Sequence, residues 1–311
     1  MHVESRAMAR FLAFELSPTQ FLAAAGSALG SLWLIVFTGA AVRLTASGLG
    51  CRHWPGCEKG HPLPAKDYHA FVEFGNRVLG GGTILLTLLA ALAAWRTPAL
   101  ARWVRRLALA VFLGTLAQAP LGYLAVATDL RWPVVMAHLL LSMLLLAGAV
   151  VVVLEAYRTK TGTADPLVPR ELRILGLVLV AANFVLLLSG AFATAAGPHS
   201  GGGEHIQRFG RFEPMLYVHA GVVAVFGCGF LFALGYLTAR RERSPRLFAF
   251  ALGVLVLLLL QAGLGELQYR THLPWGLVLV HVGVAATVWA GVVALVTLFF
   301  RPPSSLAPEQ T

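Results

Sequence analysis

Charge is scarce in this sequence: only 12% of the 311 residues are Asp, Glu, Lys or Arg, while 58% are hydrophobic. Ordinary soluble domains carry roughly 25% charged residues, so a soluble globular protein is excluded. Cysteine is scarce too, and three residues cannot build a disulfide scaffold or a pair of thiolate metal sites. Nothing resembles a nucleic-acid-binding motif, so the net charge of +10 is not read as a nucleic-acid partner. No small-residue cleavage site follows a short apolar core near the start, and no removable signal peptide is expected.

Long apolar runs are what the sequence does have. A membrane-spanning helix needs about 20 mostly apolar residues, and eight stretches qualify: about 23–43, 70–95, 103–127, 134–157, 173–195, 214–238, 247–269 and 276–300. An even number leaves both ends on one side. Short loops rich in Lys and Arg stay cytoplasmic. Segments on the terminal side hold fifteen such residues, from Arg6 to Arg301, against eight in the opposite loops, from Arg43 to Arg270. The termini are therefore expected in the cytoplasm of a cell-membrane protein, with the loop "CRHWPGC" outside. On the oxidising side, Cys51 and Cys57 of that loop are expected as a disulfide rather than free thiols. Cys228, inside the sixth run, reads as a small buried apolar residue.

Two stretches repeat. "QAPLGYLAVATDLRWPVVMAH" from Gln118 aligns without a gap on "QAGLGELQYRTHLPWGLVLVH" from Gln261, at a constant offset of 143, and ends with His138 on His281. Extended backwards, the offset lays Asn76 on His219. The first helices of the halves also correspond loosely, "TGAAVR" at 38 against "SGAFAT" at 189. The expected fold class is an all-α integral membrane protein of eight transmembrane helices, in two pseudo-symmetric four-helix bundles whose axis lies along the membrane normal. The expected divisions are a cytoplasmic segment 1–22, a bundle 23–157, a cytoplasmic linker 158–172, a second bundle 173–300 and a cytoplasmic tail 301–311.

His138, His219 and His281 each fall about five residues into a helix that starts from the same side, so at 1.5 Å per residue they share one depth. A lone histidine there reads as a helix-end residue reaching interfacial water. His219 and His281, one per helix of one half, suit the two axial ligands of a haem better than a zinc site, which would want thiolates or carboxylates. In the other half His138 faces Asn76, and Glu73 and Arg77 replace the apolar Leu216 and Ala220. An ionised group at bilayer depth costs roughly 2.5–3.5 kcal/mol even on lenient scales. Glu73 and Arg77 read either as a self-neutralising i,i+4 pair or as ionisable groups of a substrate site whose acid moves protons.

"FTGAAVRLTASGLGC" with a second loop cysteine, "HAFVEFGNR", "AQAPLGYLAVATDLRWPVVMAH" and, in the second half, a helix-six His and "LVLVHVG" together resemble the haem A synthase family. The resemblance runs from about Thr38 to the end of the eighth helix. It implies an enzyme that oxidises a methyl group of haem O to a formyl group, giving haem A, by successive hydroxylations and loss of water, with haem b for electron transfer. It further implies that His219 and His281 ligate haem b, that His138 ligates the substrate haem iron, that Glu73 is the acid of that site and that Cys51 and Cys57 pair. Many members have His where this chain has Asn76, so a bis-His substrate site does not carry over; the alternatives are His138 alone, His69 at the mouth of the second helix, or a ligand water hydrogen-bonded by Asn76. Arg77 pairs either with Glu73 or with a haem propionate. Implied partners are haem O and the enzyme supplying it, an unidentified electron acceptor and membrane lipid, with room for a homo-oligomer. His199 and His205, in the Gly-rich third outer loop, read as solvated. Competing readings are a cytochrome b-like carrier or quinone oxidoreductase, weakened by Asn76, and a transporter, weakened because no helix is interrupted near mid-span.

Overall fold

The computed structural model describes residues 14–306 except residue 52, residues 61–62, residue 65 and residues 200–207. Eight long helices follow one another: α1 Pro18–Leu44, α2 Tyr68–Trp95, α3 Arg102–Ala127, α4 Trp132–Thr161, α5 Arg170–Ala196, α6 Phe212–Ala239, α7 Pro245–Arg270 and α8 Trp275–Phe300. All eight are long and apolar enough to cross a membrane, and the protein is a multi-pass membrane protein. Two of the helices begin at polar side-chain caps. At α1 the Ser17 hydroxyl accepts the Gln20 N–H while the Gln20 side chain accepts the Ser17 N–H, a reciprocal capping box that starts the helix before the apolar run. At α2 the Asp67 carboxylate accepts the Ala70 N–H.

Helices α1–α4 pack as a closed ring, each against its neighbours. Helices α5–α8 follow the same order, but α6 and α7 touch only slightly, which leaves this half more open. The repeat is visible in the turns. Asp129 and Leu130 (φ 51° and 56°) correspond to His272 and Leu273 (φ 60° for both), all in the left-handed region. Each pair closes its helix with the same bond, Leu130 N–H to Ala125 O at 2.8 Å and Leu273 N–H to Gln268 O at 2.7 Å, satisfying a carbonyl that the helix end would otherwise orphan.

The halves meet along α8, which packs on α1 and α4 of the first half as well as on α5 and α7. Trp289 is fully buried there and donates its indole N–H to the Met143 carbonyl at 2.7 Å, while Trp33 donates to the Thr287 hydroxyl at 3.0 Å. Leu32, Val36, Met143, Leu146, Trp289 and Val293 join in one core that crosses the boundary. At the end that carries both termini, Glu155 of α4 is buried and accepts from Arg301, just past α8, at 2.5 and 3.2 Å, and from Arg158 at 3.1 Å. Beyond it, Thr163 bridges Pro303, and Ala164 N–H donates to Pro302 O. Cys228 corrects an expectation: it is exposed on α6, on a face with Val225 and Phe232. In a bilayer an apolar side chain facing lipid is as well placed as one facing the core.

Glu155→Ala strands two guanidinium groups and unties the halves at this end. Loss of a buried ion-pair partner costs about 3–5 kcal/mol, and with Arg301 partly exposed the expected loss is about 2–3 kcal/mol, read as a lower thermal unfolding midpoint in detergent.

Candidate functional site

The polar side chains of interest gather near the end that carries the Cys51–Cys57 loop. His138 is the seventh residue of α4, His219 the eighth of α6 and His281 the seventh of α8, about 10 Å along each helix at 1.5 Å per residue. In the second half the His219 Nδ1 pairs with the Ser189 hydroxyl of α5 at 2.9 Å, and its ring lies on Gly190, where a Cβ would come within 3.1 Å of Cε1. The His281 ring lies on Gly265 of α7 in the same way, at 3.3 Å. Its Nε2 pairs with the Gln261 amide nitrogen at 3.0 Å and its Nδ1 is buried without a partner. The two imidazoles are close enough to interact electrostatically. Beside His219 begins an apolar cavity of about 400 Å³ between α5 and α6, lined by Ala182, Val185, Val218, Val222, Val225 and Phe226 among others. Glycine in a helix costs roughly 0.5–1 kcal/mol relative to alanine; Gly190 and Gly265 are where the rings leave no room for a methyl group.

The first half reproduces this arrangement with substitutions. Gly122, the match of Gly265, lies under the His138 ring at 3.6 Å, and the His138 Nδ1 is again buried without a partner. Gln118, the match of Gln261, turns elsewhere: its amide donates to the His138 carbonyl at 3.1 Å and the Ser142 hydroxyl at 2.7 Å. Where Ser189 holds His219, Thr38 of α1 donates to Asn76 Oδ1 at 2.8 Å. Thr38 and Ser189 are matched positions of the first helices of the halves, so each half sets a hydroxyl against the near end of the α2 or α6 polar side chain. The sequence reading did not single out either hydroxyl; the paired "TG" and "SG" at 38 and 189 were the available signal.

Glu73 and Arg77 are bound into the loop. Glu73 is buried and paired with Arg77 at 2.5 Å, and its other oxygen accepts the Cys51 N–H at 2.7 Å. The Arg77 guanidinium donates to the carbonyls of His53 at 2.6 Å and Gly56 at 2.7 Å. Cys51 and Cys57 form a disulfide packed with Ala70 and Phe74. Gly50 crosses the first turn of α2 so closely that a Cβ would stand 2.5 Å from the His69 carbonyl. Trp54 reaches over to Tyr123 of α3, with ring centroids 6.0 Å apart, so the loop lies across one end of the bundle. His69 is exposed, its Nδ1 on the Ser47 hydroxyl at 2.9 Å. The matched positions of the second half are Leu216 and Ala220, and its third outer loop contains no cysteine.

His199 differs from the solvated residue expected. Its Nε2 donates to the Leu273 carbonyl at 2.7 Å and its own carbonyl accepts from Arg43 at 3.0 Å, because the carbonyls of this loop and of the α7–α8 turn need partners where water is scarce. His205 lies outside the described residues. Among the described residues no three His, Cys, Asp or Glu side chains form a metal-binding group.

Glu73→Ala removes the acceptor of the Cys51 N–H and leaves Arg77 without its carboxylate. Faster reduction of Cys51–Cys57 is expected, on the order of tenfold for a lost charge-assisted bond of about 1.5 kcal/mol, measured as thiol labelling against time in dithiothreitol.

Comparison with known proteins extends over nearly the whole chain. Residues 25–293 match the family model described as cytochrome oxidase assembly protein, COX15-CtaA. A heme A synthase of Shewanella oneidensis is 26% identical over 318 residues, which cover 88% of this chain and 94% of that protein. A heme A synthase of Bacillus licheniformis is 21% identical over 266 residues, 81% of this chain and 86% of the relative. One from Bacillus pumilus is 28% identical over 166 residues, about half of each chain. With a match of this extent, the chain belongs to the cytochrome oxidase assembly protein family, COX15-CtaA.

Proposed function

We propose that this protein is a haem A synthase, an oxidoreductase that converts haem O to haem A in the membrane. The observation that carries the reading is the asymmetry between matched sites. At matched positions one half has two imidazoles, His219 and His281, and the other has one imidazole and an amide, His138 and Asn76, in a chain whose relatives are named heme A synthase. Two imidazoles would give a haem iron two axial ligands, whereas His138 by itself would give one.

The residues of the second half fit haem b. Neutral imidazoles without thiolates suit haem iron, glycines let both rings pack against the neighbouring helices, and an apolar cavity lined by α5 and α6 adjoins the helix that carries His219. His219 and His281 would hold the iron. Ser189, by engaging Nδ1 of His219, fixes that ring so that Nε2 remains for the metal. Ligation through Nε2 of His281 displaces the Gln261 amide that pairs with it here. When bound, haem b supplies one-electron transfer.

In the first half His138 would hold the iron of the substrate haem O, with its ring placed over Gly122. Oxidation of a methyl to a formyl group releases protons and electrons together. Glu73 is the acid that takes up protons, held in position by Arg77 and the Cys51 N–H. Arg77, with two carbonyls and a carboxylate already bound, chiefly holds the loop across the site, and the loop limits access of water. The Lys and Arg distribution supports the termini as cytoplasmic and the disulfide loop as external. The supplier of haem O and the electron acceptor are partners in this scheme.

Protein purified after haem-replete expression is expected to show a low-spin haem b spectrum, lost in His219→Ala or His281→Ala; a wild-type protein without a Soret band refutes the reading. Co-expressed with a haem O source, the wild type is expected to accumulate haem A. His138→Ala and Glu73→Gln are expected to lower the yield by at least about 100-fold, the lower range for a general acid or base, while haem b stays bound. Glu73→Gln keeps an acceptor for the Cys51 N–H, so an unchanged yield in that variant would reduce Glu73 to a loop anchor.

A further inference from the structure

We propose that Asn76 is a hydrogen-bond donor on the open side of the substrate haem, facing His138, and not an iron ligand. The inference rests on the haem A synthase reading and concerns the first-half site alone. Its ground is the contact Thr38 makes with Asn76.

In the second half Ser189 engages the near nitrogen of His219 at 2.9 Å. The atom left for the bundle interior is Nε2, which carries a lone pair that can bind iron. In the first half Thr38, at the matched position, donates to Asn76 Oδ1 at 2.8 Å. That contact turns the acceptor end of the amide towards α1 and occupies one of its two lone pairs, and what points the other way is the Nδ2 amino group. This nitrogen has two N–H bonds and a lone pair delocalised into the carbonyl, so it donates hydrogen bonds and does not coordinate. Among the described residues no protein group accepts from Nδ2, and the atom is not fully buried. The same hydroxyl at the same place therefore sets a metal ligand in one half and a proton donor in the other.

Length adds to the argument. An amide ends closer to the backbone than an imidazole, so Asn76 reaches less far from α2 than a His at this depth would. The matched position on the facing helix is His281, which sits close to His219. Asn76 and His138 are the corresponding pair at an offset of 143. Asn76 would then hold a small polar ligand of the iron, with Thr38 as the positioning residue that fixes the direction of its N–H bonds.

The test uses the full protein purified from cells that make haem O, with fluoride as the probe. Fluoride binds an open ferric iron, leaves a bis-imidazole haem untouched and is stabilised by a neighbouring donor. The expected results are that the wild type binds fluoride at one haem, that Asn76→Leu keeps both haems and binds fluoride about tenfold more weakly, and that Thr38→Val shows a smaller loss. Asn76→His should add a second low-spin haem signal and abolish fluoride binding. The unchanged haem b spectrum reports that each variant is folded; should Asn76→Leu lose it, Asn76→Ala replaces it with the same expected loss. Equal fluoride affinity in the wild type and the apolar variant overturns the proposal. So does a six-coordinate first-half haem in the wild type that becomes high-spin in Asn76→Leu. A protein that carries haem b but never a second haem overturns the substrate-half reading itself, and this inference with it.

Discussion

Hydrocarbon offers no hydrogen bonds, so every polar side chain within the span has to find its partner inside the protein. The architecture is organised by that constraint. Glu155 is tolerated because Arg301 and Arg158 converge on it, and the same three residues tie the halves together at the terminal end. Trp289 is tolerated because its indole N–H reaches the Met143 carbonyl, fixing α8 against α4. Glu73 is tolerated because a guanidinium and a loop amide meet its two oxygens. In each case the polar group is a fastening between segments distant in sequence, and apolar packing along α8 fills the space between them.

Against this background the unpartnered polar atoms stand out. Nδ1 of His138 and of His281 are buried and unpaired, and so are the side-chain oxygens of Gln118 and Gln261, all matched across the repeat. A membrane protein does not leave such groups idle at low cost. They group near one end of the bundle, where the histidine rings pack on glycines of the neighbouring helices. The halves share this scaffold and part at Asn76 and His219, each of which meets a hydroxyl from the first helix of its half. The closed ring of α1–α4, capped by its disulfide loop, and the looser contact of α6 with α7 extend that divergence to the packing.

Much of this was legible in the sequence. Eight apolar runs separated by polar caps predict eight helices because length and hydropathy alone decide what spans a bilayer, and the ungapped repeat places His138 with His281 and Asn76 with His219 because insertion with the same topology preserves depth. The disulfide followed from two cysteines in one short loop. What local pattern could not carry was partner choice. Arg158 and Arg301 read only as topology charges, although Arg301 binds Glu155 146 residues away. His199 read as solvated, although it fastens two loops, and Cys228 read as buried although it faces outward.

"VEFGNR" shows where the division lies. The sequence by itself determined that an acid, an amide and a base sit near the mouth of an apolar helix, at a place where the sister half has only a histidine. It determined as much because spacing along a helix fixes depth and face. Only the tertiary structure decided that Glu73 and Arg77 turn to the Cys51–Cys57 loop while Asn76 turns to Thr38. The physical reason is that a buried hydrogen bond depends on distance and direction between groups far apart in the chain, and those are settled only when the helices and the loop have packed.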